Sequence, residues 1–323
     1  MLRTRLTDVL GVEHPVMLAG MGGVSYHRLV AAVSEAGGYG CFGASTLPAD
    51  ELRAEMRAAR ALTDKPFGVD LLTALPQRLL EDVALLIDEG ATVFAAGLGI
   101  PHDVISMCHE RNVLVLSMCG KVRHAVAAVE AGCDIVVAQG TEAGGHTGQI
   151  ATLPLVAQVV AAVGDRVPVV AAGGISDGRG LAAALALGAD GVWVGTRFIA
   201  TPEANTGRGF KDALVRSRED DTVISKGFSG KPMRVVRNEV ATHFEQHPEE
   251  LKPFPDQLLA AVEGGWLHLG ANEDTPGVDP ARECFPAGQA VGGIDALVPA
   301  GEIVVRMVEE AEAALRGAAA TIV

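Results

Sequence analysis

Short apolar segments alternate with alanine-rich segments over about the first 200 residues, and this alternation restricts the fold more than any other feature. Each apolar segment reads as a buried parallel strand, because such strands are nearly continuous apolar runs. The predicted strands cover residues 14–18, 39–42, 67–71, 92–96, 113–117, 134–139, 168–171 and 191–194. The segments between them have the 3.6-residue apolar periodicity of helices and cover residues 26–36, 48–61, 77–89, 101–110, 121–131, 152–163 and 178–187.

Glycine marks the end of several of these predicted helices. The pairs are Ala36-Gly37, Glu89-Gly90, Ala131-Gly132 and Leu187-Gly188. Glycine adopts the left-handed backbone conformation that commonly ends a helix, because it has no Cβ to clash. We therefore expect left-handed caps at these glycines.

Eight strand–helix units are the number expected of a (β/α)₈ barrel, also called a TIM barrel. A doubly wound open sheet explains the alternation equally well, but its glycine fingerprint should lie at the first strand–helix turn. In this chain, glycine-rich loops follow the first, sixth, seventh and eighth predicted strands. That distribution favours the barrel, whose site is shared by loops from around the ring.

The alternation stops after Thr196. Residues 210–219 read as a helix, whereas residues 220–293 are irregular and include an amphipathic stretch at 256–267. This segment is too long for a plain loop in a compact domain, so we expect a small helical cap beside the barrel mouth. Residues 301–316 predict a final helix that closes the outer ring. The expected domains are the barrel at 1–220, a substrate-side cap at 221–293 and the returning helix at 294–323.

The composition excludes several kinds of partner. Lys and Arg total 26 against 40 Asp and Glu, and the net charge of −14 repels the phosphate backbone of nucleic acids. An aromatic content of 4% also leaves few platforms on which bases could stack. No apolar stretch reaches the ~18 residues of a membrane span, and the first residues lack the apolar core of a signal peptide. We expect a cytoplasmic protein that binds neither nucleic acid nor membrane.

The cysteines do not form a recognisable metal or disulfide pattern. Cys41, Cys108, Cys119, Cys133 and Cys284 are odd in number, widely spaced and free of any C-x-x-C pair. We expect buried free thiols and no metal site.

The loop from Gln139 to Gly148 is the strongest candidate for a ligand site. It follows the predicted strand at 134–139 and contains Gly144 and Gly145 directly before His146. Functional residues of barrels collect just past the carboxyl ends of the strands. Glycine lets the backbone approach a ligand closely, and an imidazole can transfer a proton. The pattern therefore predicts a ligand site with a proton-transfer group beside it.

Two later strand ends have the pattern of a phosphate site. The seventh predicted strand runs into Gly173-Gly174, and the eighth ends in Val194-Gly195-Thr196. In barrels, the loops after these two strands commonly bind phosphate, because free backbone N–H groups point at the anion. The Thr196 hydroxyl would add a donor.

The first and third strands contribute further candidates. Gly20-Met21-Gly22 follows the first strand, where the backbone could lie along a flat ring with Met21 as a polarizable cover. Asp70 ends the third strand, a common position for a site carboxylate in barrels. The Gln139 amide can both donate to and accept from a ring edge.

A phosphate site beside these groups indicates a phosphorylated flat cofactor, either FMN or pyridoxal phosphate. Pyridoxal phosphate would need a Schiff-base lysine at a strand end. Lys121 is the only lysine so placed, and it also reads as a solvated residue that opens a helix.

The segments at 139–148, 171–175 and 194–198 resemble those of the FMN-dependent nitronate monooxygenases, also called 2-nitropropane dioxygenases. Related flavin-dependent enoyl-ACP reductases and some NAD(P)H:quinone reductases share these motifs. The resemblance covers nearly the whole chain, including residues 232–234 and 287–289. It implies a (β/α)₈ barrel that holds FMN at its carboxyl-end face, with His146 as the catalytic base. The residues implied to contact FMN are Gly20, Met21, Gly22, Asp70, Gln139, Gly144, Gly145, Gly173, Gly174, Val194, Gly195 and Thr196.

Asp70 departs from the family pattern, which usually has Asn at this place. A carboxylate near the N1 side of the flavin would disfavour the anionic reduced ring unless it is protonated or turned away. The departure leaves the redox tuning and the reaction itself open.

The resemblance implies FMN-dependent oxidation of alkyl nitronates or nitroalkanes by O₂ to a carbonyl compound and nitrite. His146 would remove the α-proton of a nitroalkane or orient a nitronate, since a neutral imidazole suits a base at pH 7. The alternative is an NAD(P)H-dependent FMN reductase acting on an enoyl thioester or a quinone. A flavin- or phosphate-binding scaffold without turnover is a third hypothesis, which His146 and the open glycine loop argue against. The expected partners are a small-molecule substrate and O₂, and pairing into a homodimer through an exposed helix face is a further hypothesis.

Overall fold

The structure, a computed structural model, describes residues 2–45, 47–72, 79–97 and 100–322 of the chain. Its strands are β1 (Val16–Leu18), β2 (Gly40–Gly43), β3 (Phe67–Asp70), β4 (Val93–Gly97), β5 (Leu114–Cys119), β6 (Ile135–Gln139), β7 (Gly145–His146), β8 (Val169–Ala172), β9 (Gly191–Val194), β10 (Thr222–Ser225) and β11 (Met233–Val236). Its α-helices are α1 (Arg5–Leu10), α2 (His27–Glu35), α3 (Ala49–Arg60), α4 (Leu79–Asp88), α5 (His102–Glu110), α6 (Val122–Ala131), α7 (Thr152–Val163), α8 (Gly178–Ala186), α9 (Thr196–Ile199), α10 (Arg208–Arg216), α11 (Glu239–Gln246), α12 (Asp256–Glu263) and α13 (Ala300–Ala319). Short 3₁₀ helices cover Pro248–Glu250 and Gln289–Gly293.

Eight parallel strands form one sheet in the order β1-β9-β8-β6-β5-β4-β3-β2. The two ends of this order meet at a parallel bridge between Met17 and Tyr39. The Leu18 N–H donates to the Tyr39 carbonyl and the Tyr39 N–H donates to the Val16 carbonyl, both at 2.9 Å. The sheet therefore closes on itself, which confirms the predicted (β/α)₈ barrel and excludes the open sheet.

Side chains fill the barrel interior. Met17, Val93, Leu116 and Trp193 belong to one buried cluster inside the ring. Leu6 and Leu10 of α1 join this inner cluster, so α1 covers the end of the barrel at which the strands begin. The opposite faces of the strands pack with the surrounding helices in a second, larger outer cluster. Because α1 occupies one end, the carboxyl end of the strands is the barrel mouth.

The predicted glycine caps are confirmed by their backbone angles. Gly37, Gly90, Gly132 and Gly188 have φ values of +83°, +85°, +104° and +90°. The helix predicted at 77–89 is observed from Leu79 as α4, and residues 77 and 78 lie outside the described residues.

The last helix closes the outer ring, as predicted. Helix α13 packs against α8 and α2. The Gly178 N–H, at the start of α8, donates to the Glu310 carboxylate at 2.9 Å. A Cβ on Gly178 would lie 2.4 Å from the Glu310 Cβ, so the two helices approach too closely for a larger residue.

The segment between α10 and α13 contains more than the predicted helices. Strands β10 and β11 form an antiparallel hairpin, and β11 also pairs with β7 from the barrel loop. The register places Met233 opposite His146 and Arg234 opposite Gly145. The sequence did not predict this sheet, because β7 is only two residues long and its partner lies far along the chain. The division into domains at residues 220 and 293 stays a prediction.

Two other expectations can be compared with the structure. All five cysteines are buried and free, as predicted. No helix among the described residues is both long enough and apolar enough to cross a membrane.

Candidate active site

Asp70 and Gln139 face the inside of the barrel at its mouth. In β3, Phe67 and Val69 belong to the outer cluster, so the alternation of a strand turns Asp70 inward. In β6, Val136 and Ala138 belong to the outer cluster, which likewise turns Gln139 inward. Both residues end their strands, so their polar groups lie at the mouth rather than in the apolar interior.

Met21 and Met118 add apolar side chains next to the inner cluster of the barrel. Both side chains are partly buried and pack against the inner cluster. Met21 had been predicted as a polarizable cover, whereas Met118 was missed. The signal for Met118 is its place in β5, where it follows the inward-facing Leu116 by two residues.

The turn after β1 is fixed by close contacts that require glycine. A Cβ on Gly20 would lie 2.2 Å from the Asp70 Cβ, so the turn backbone presses directly on the Asp70 side chain. Gly22 forms a parallel bridge with Gly43 at the end of β2. The Met21 N–H donates to the Ser25 hydroxyl at 2.8 Å. These contacts fix the backbone conformation of the turn at residues 20–22.

The His146 loop is tied to its own strand. The Gln139 side-chain Nε2 donates to the His146 carbonyl at 2.9 Å. The amide NH₂ group, which the sequence predicts to face a ring, therefore uses one hydrogen bond to hold this loop. The Thr147 hydroxyl donates to the Gly140 carbonyl at 3.1 Å. Gly145 has a φ of +72° with open space around it, so glycine is required there by conformation rather than by packing.

Glu142 anchors the same loop to α7 and to residues 287–289. Its carboxylate accepts from the N–H of Thr152 at 2.7 Å and from the Thr152 hydroxyl at 2.6 Å. This contact caps α7, whose N-cap residue Ala151 has no side chain that could do so. The Glu142 carbonyl accepts from the Gln289 N–H at 2.9 Å.

Backbone contacts explain why Gly144 is a glycine. A Cβ there would lie 2.8 Å from the Ala287 Cα and 2.8 Å from the Gly288 nitrogen. The Arg234 guanidinium donates to the Thr141 carbonyl at 3.0 Å. The two distant segments that supported the family resemblance therefore both lie against the His146 loop.

The turns after β8 and β9 offer unused backbone donors. Gly173 and Gly174 have φ values of +104° and +75°, which require glycine. Among the described residues, no group accepts a hydrogen bond from the backbone N–H of Gly173, Gly174 or Gly195. The Thr196 hydroxyl accepts from the Gly288 N–H at 2.9 Å and keeps its own proton for donation. These groups fit an anion such as a phosphate.

Val194 contributes to this region through its backbone only. Its side chain belongs to the outer cluster and is 1% exposed, so it does not face the mouth. Its carbonyl accepts from the Ala19 N–H at 2.9 Å, which holds the β1 turn against β9.

The His146 loop and the turns after β8 and β9 lie together at the same end of the barrel. A Cβ on Gly173 would lie 3.0 Å from the Ala143 nitrogen, so the β8 turn touches the His146 loop. Gly288 bridges the Thr196 hydroxyl and Gly144. An imidazole and a group of unused backbone N–H donors thus share one mouth.

The His146 imidazole is positioned by Ser229, which sequence reasoning missed. His146 Nε2 lies 2.8 Å from the buried Ser229 Oγ. Ser229 Oγ also lies 3.3 Å from both the carbonyl and the N–H of Lys231. A hydroxyl has one proton, and if Ser229 gives it to the Lys231 carbonyl, it accepts from the protonated Nε2 of His146. In that arrangement the lone pair of the neutral ring lies on Nδ1.

Although His146 is exposed at the mouth, the protein around its imidazole removes part of its hydration and lowers its pKa, and the nearby charge of Lys231 lowers it further. The ring is neutral at pH 7 and able to accept a proton. The direction suits a general base.

Burial raises the pKa of Asp70 to about 8. The residue is 8% exposed, and among the described residues no cation or hydrogen-bond donor pairs with its carboxyl group. Burial also raises the pKa of Cys41, and the Asp70 charge adds to that shift. The mouth thus contains a carboxyl group that favours its neutral form.

Away from the barrel mouth, the described residues include a group of three side chains that could bind a metal ion. His247, Glu249 and Glu250 have ligand atoms within 4.8 Å of one another, and all three residues are exposed. His243 Nε2 pairs with Glu250 at 2.8 Å. These groups form surface ion pairs at the end of α11.

Several known proteins are similar to this chain in sequence and in fold. The family model described as nitronate monooxygenase matches residues 3–81 and 75–310. A probable nitronate monooxygenase from Staphylococcus saprophyticus is 34% identical over 328 residues, covering 84% of this chain and 92% of the relative. A (3aS,4S,5R,7aS)-5-hydroxy-7a-methyl-1-oxo-octahydro-1H-indene-4-carboxyl-CoA dehydrogenase from Mycobacterium tuberculosis is 41% identical over 245 residues, covering 76% of this chain and 69% of the relative. The structure of FabK from Thermotoga maritima superposes with a TM-score of 0.90 at 35% identity, covering 100% of both chains.

Proposed function

We propose that this protein binds FMN and oxidises alkyl nitronates with O₂ to a carbonyl compound and nitrite. The premise is that the chain belongs to the nitronate monooxygenase family and is an oxidoreductase. The observation that carries the proposal is the shared mouth, where the His146 loop packs against the β8 turn that carries the unused N–H donors. A base beside a phosphate-type site suits a small substrate that reacts next to a phosphorylated cofactor.

The residues at the mouth fit FMN. The N–H groups of Gly173, Gly174 and Gly195 would hold its phosphate. The apolar side chains of Met21 and Met118, next to the inner cluster, suit a flat ring. When bound, FMN accepts electrons from the substrate and passes them to O₂.

Pyridoxal phosphate is supported less well by the same residues. The lysine that it would need, Lys121, is the N-cap residue of α6. No feature of its surroundings marks it as a Schiff-base lysine.

His146 would act on the substrate through Nδ1. On a neutral nitroalkane, Nδ1 accepts the α-proton while Ser229 holds Nε2–H and keeps the ring oriented. The Lys231 charge that lowers the His146 pKa also promotes return of this proton to solvent. On a nitronate, which has already lost the proton, the imidazole only orients the substrate.

A direct product assay tests the proposal. The pure protein is reconstituted with FMN, and propyl-2-nitronate is added in air-saturated buffer. We expect O₂ consumption together with nitrite and acetone, because the carbon that bears the nitro group becomes the carbonyl carbon. A protein that holds FMN but releases no nitrite contradicts the proposed reaction.

The similarity to the carboxyl-CoA dehydrogenase and to FabK supports a second candidate. This candidate is an NAD(P)H-linked flavin enzyme that acts on a thioester or a quinone. It uses the same FMN site and differs in the source of electrons. Reduction of the bound flavin by NAD(P)H separates the two candidates.

The proposal places the reaction in the cytoplasm. Five buried free thiols suit a reducing compartment.

A further inference from the structure

Asp70 is a carboxyl group built into the inner wall of the barrel mouth, and no residue that the structure describes is a partner for its charge. It ends β3, next to Gly43 of β2 and Ala95 of β4 in the register of the sheet. The side chain points inward and is closed from above by the Gly20 backbone. An ionised carboxylate in such a place would lose its hydration without gaining a cation or a donor in exchange.

The groups that face Asp70 do not supply that compensation. On β2, the inward-facing titratable group is the Cys41 thiol, and it is neutral because burial raises its pKa. On β4, the facing residue is Ala95, and the turn after β1 presents only the backbone of Gly20. Within the described part of the chain, no Lys, Arg or His contributes to the pKa of Asp70.

We propose that Asp70 stays a neutral carboxylic acid when the cofactor is bound and donates its proton as a hydrogen bond to an acceptor atom of the FMN ring. The inference rests on the proposed function, because it needs the FMN ring at the mouth. A protonated carboxyl group is both a donor and an acceptor, so Asp70 matches an amide such as that of Gln139. A bound ring would remove water that still reaches the carboxyl group and would further favour the neutral form.

The proposal predicts a pH dependence of stability in the protein without FMN. Burial raises the pKa of folded Asp70 to about 8 from 3.8, so between these values the folded state holds a proton that the unfolded chain has released. The folding equilibrium constant therefore decreases as the pH rises through this window. Relative to Asp70→Asn, we expect a decrease of up to about tenfold per pH unit between about pH 5 and pH 7.

The same proton should control FMN affinity. For the wild type, we expect the association constant to fall up to about tenfold per pH unit between about pH 8 and pH 9, as Asp70 ionises. Asp70→Asn cannot ionise and is expected to bind FMN with no such decrease. The matched control is Asp64→Asn, which changes one exposed carboxylate between α3 and β3, at the end of the barrel opposite the mouth.

The experiment combines denaturant unfolding of the FMN-free protein with fluorescence titration of FMN across this pH range. Equal pH slopes of unfolding for wild type and Asp70→Asn overturn the neutral acid. If the unfolding slopes differ but wild type and Asp70→Asn show the same pH dependence of FMN affinity, the hydrogen bond from Asp70 to the ring is overturned. A protein that takes up no FMN at any pH overturns the proposed function, and the unfolding slopes still report the state of Asp70.

An infrared measurement on the wild type tests the same proposal without relying on a variant that could misfold. Addition of FMN is expected to shift the carbonyl stretch of a protonated carboxyl group in the difference spectrum. A carboxylate band in its place, at neutral pH, overturns the proposal.

Discussion

His146 Nε2 lies 2.8 Å from Ser229 Oγ, and this hydrogen bond joins the barrel loop to the segment beyond β10. Strands β7 and β11 pair next to it, with Met233 opposite His146. The β10–β11 hairpin therefore holds His146 both by its backbone and by Nε2, and no described residue bonds to Nδ1.

Removing the imidazole should separate two kinds of substrate. We expect His146→Ala to reduce kcat/KM on a neutral nitroalkane by about 10²–10⁴-fold, the usual contribution of a general base. The loss on the matching nitronate should be much smaller, because its proton is already gone. Steady-state oxygen uptake measures kcat/KM on both substrates. The control is His124→Gln, which changes an exposed histidine on a helix. Equal losses on the two substrates would reject proton abstraction by His146.

Ser229→Ala tests the orientation of the ring. Loss of one hydrogen bond of about 0.5–1.5 kcal/mol should lower kcat on a nitroalkane by about 2- to 12-fold. KM should change little, since Ser229 touches the base and not the substrate. Ser225→Ala, which removes another buried serine of the same segment, is the matched control. An unchanged kcat together with an unchanged pH profile would show that Ser229 does not position His146.

Lys231→Met should move the acid limb of the pH profile. The positive charge of Lys231 lowers the pKa of His146, so its removal raises that pKa. The protonated, inactive imidazolium then persists to higher pH, and kcat/KM on a nitroalkane should begin to fall at a higher pH than in the wild type. Lys226→Met removes a charge from an exposed position nearby in the sequence and should leave the limb in place. A limb that moves to lower pH would contradict the assignment of the base.

Gly173→Ala should weaken FMN binding. A Cβ there would lie 2.8 Å from the Thr152 hydroxyl and would strain a backbone with a φ of +104°. We expect the Kd for FMN to rise at least about tenfold, equivalent to about 1.4 kcal/mol. Gly11→Ala introduces similar backbone strain at a φ of +68° beside α1, at the other end of the barrel. If both variants bind FMN as well as the wild type does, the β8 turn does not hold the phosphate.

The barrel could be predicted from sequence because local signals repeat along it. Buried strands are continuous apolar runs. The glycines that mark the ends of four helices are Gly37, Gly90, Gly132 and Gly188. The expected helix ends differ from the observed ones by a few residues, as for α13, which starts one residue earlier and ends three residues later than predicted.

The contacts that hold the site could be predicted only in part. Asp70 and Gln139 were found because they end strands, and the alternation of a strand fixes which way they face. Ser229 and the pairing of β7 with β11 were missed, because no local pattern connects residues so distant in the chain. Gly144 was attributed to ligand approach, whereas the contact with Ala287 and Gly288 already requires it to be a glycine.

The most direct test of the account is anaerobic reduction of the FMN-loaded protein, followed by absorbance. The account predicts that the bound flavin is bleached rapidly by propyl-2-nitronate and only slowly by NADH or NADPH. Rapid bleaching by NADH or NADPH with no reaction toward the nitronate would contradict it and would assign the mouth to a nicotinamide-dependent reductase.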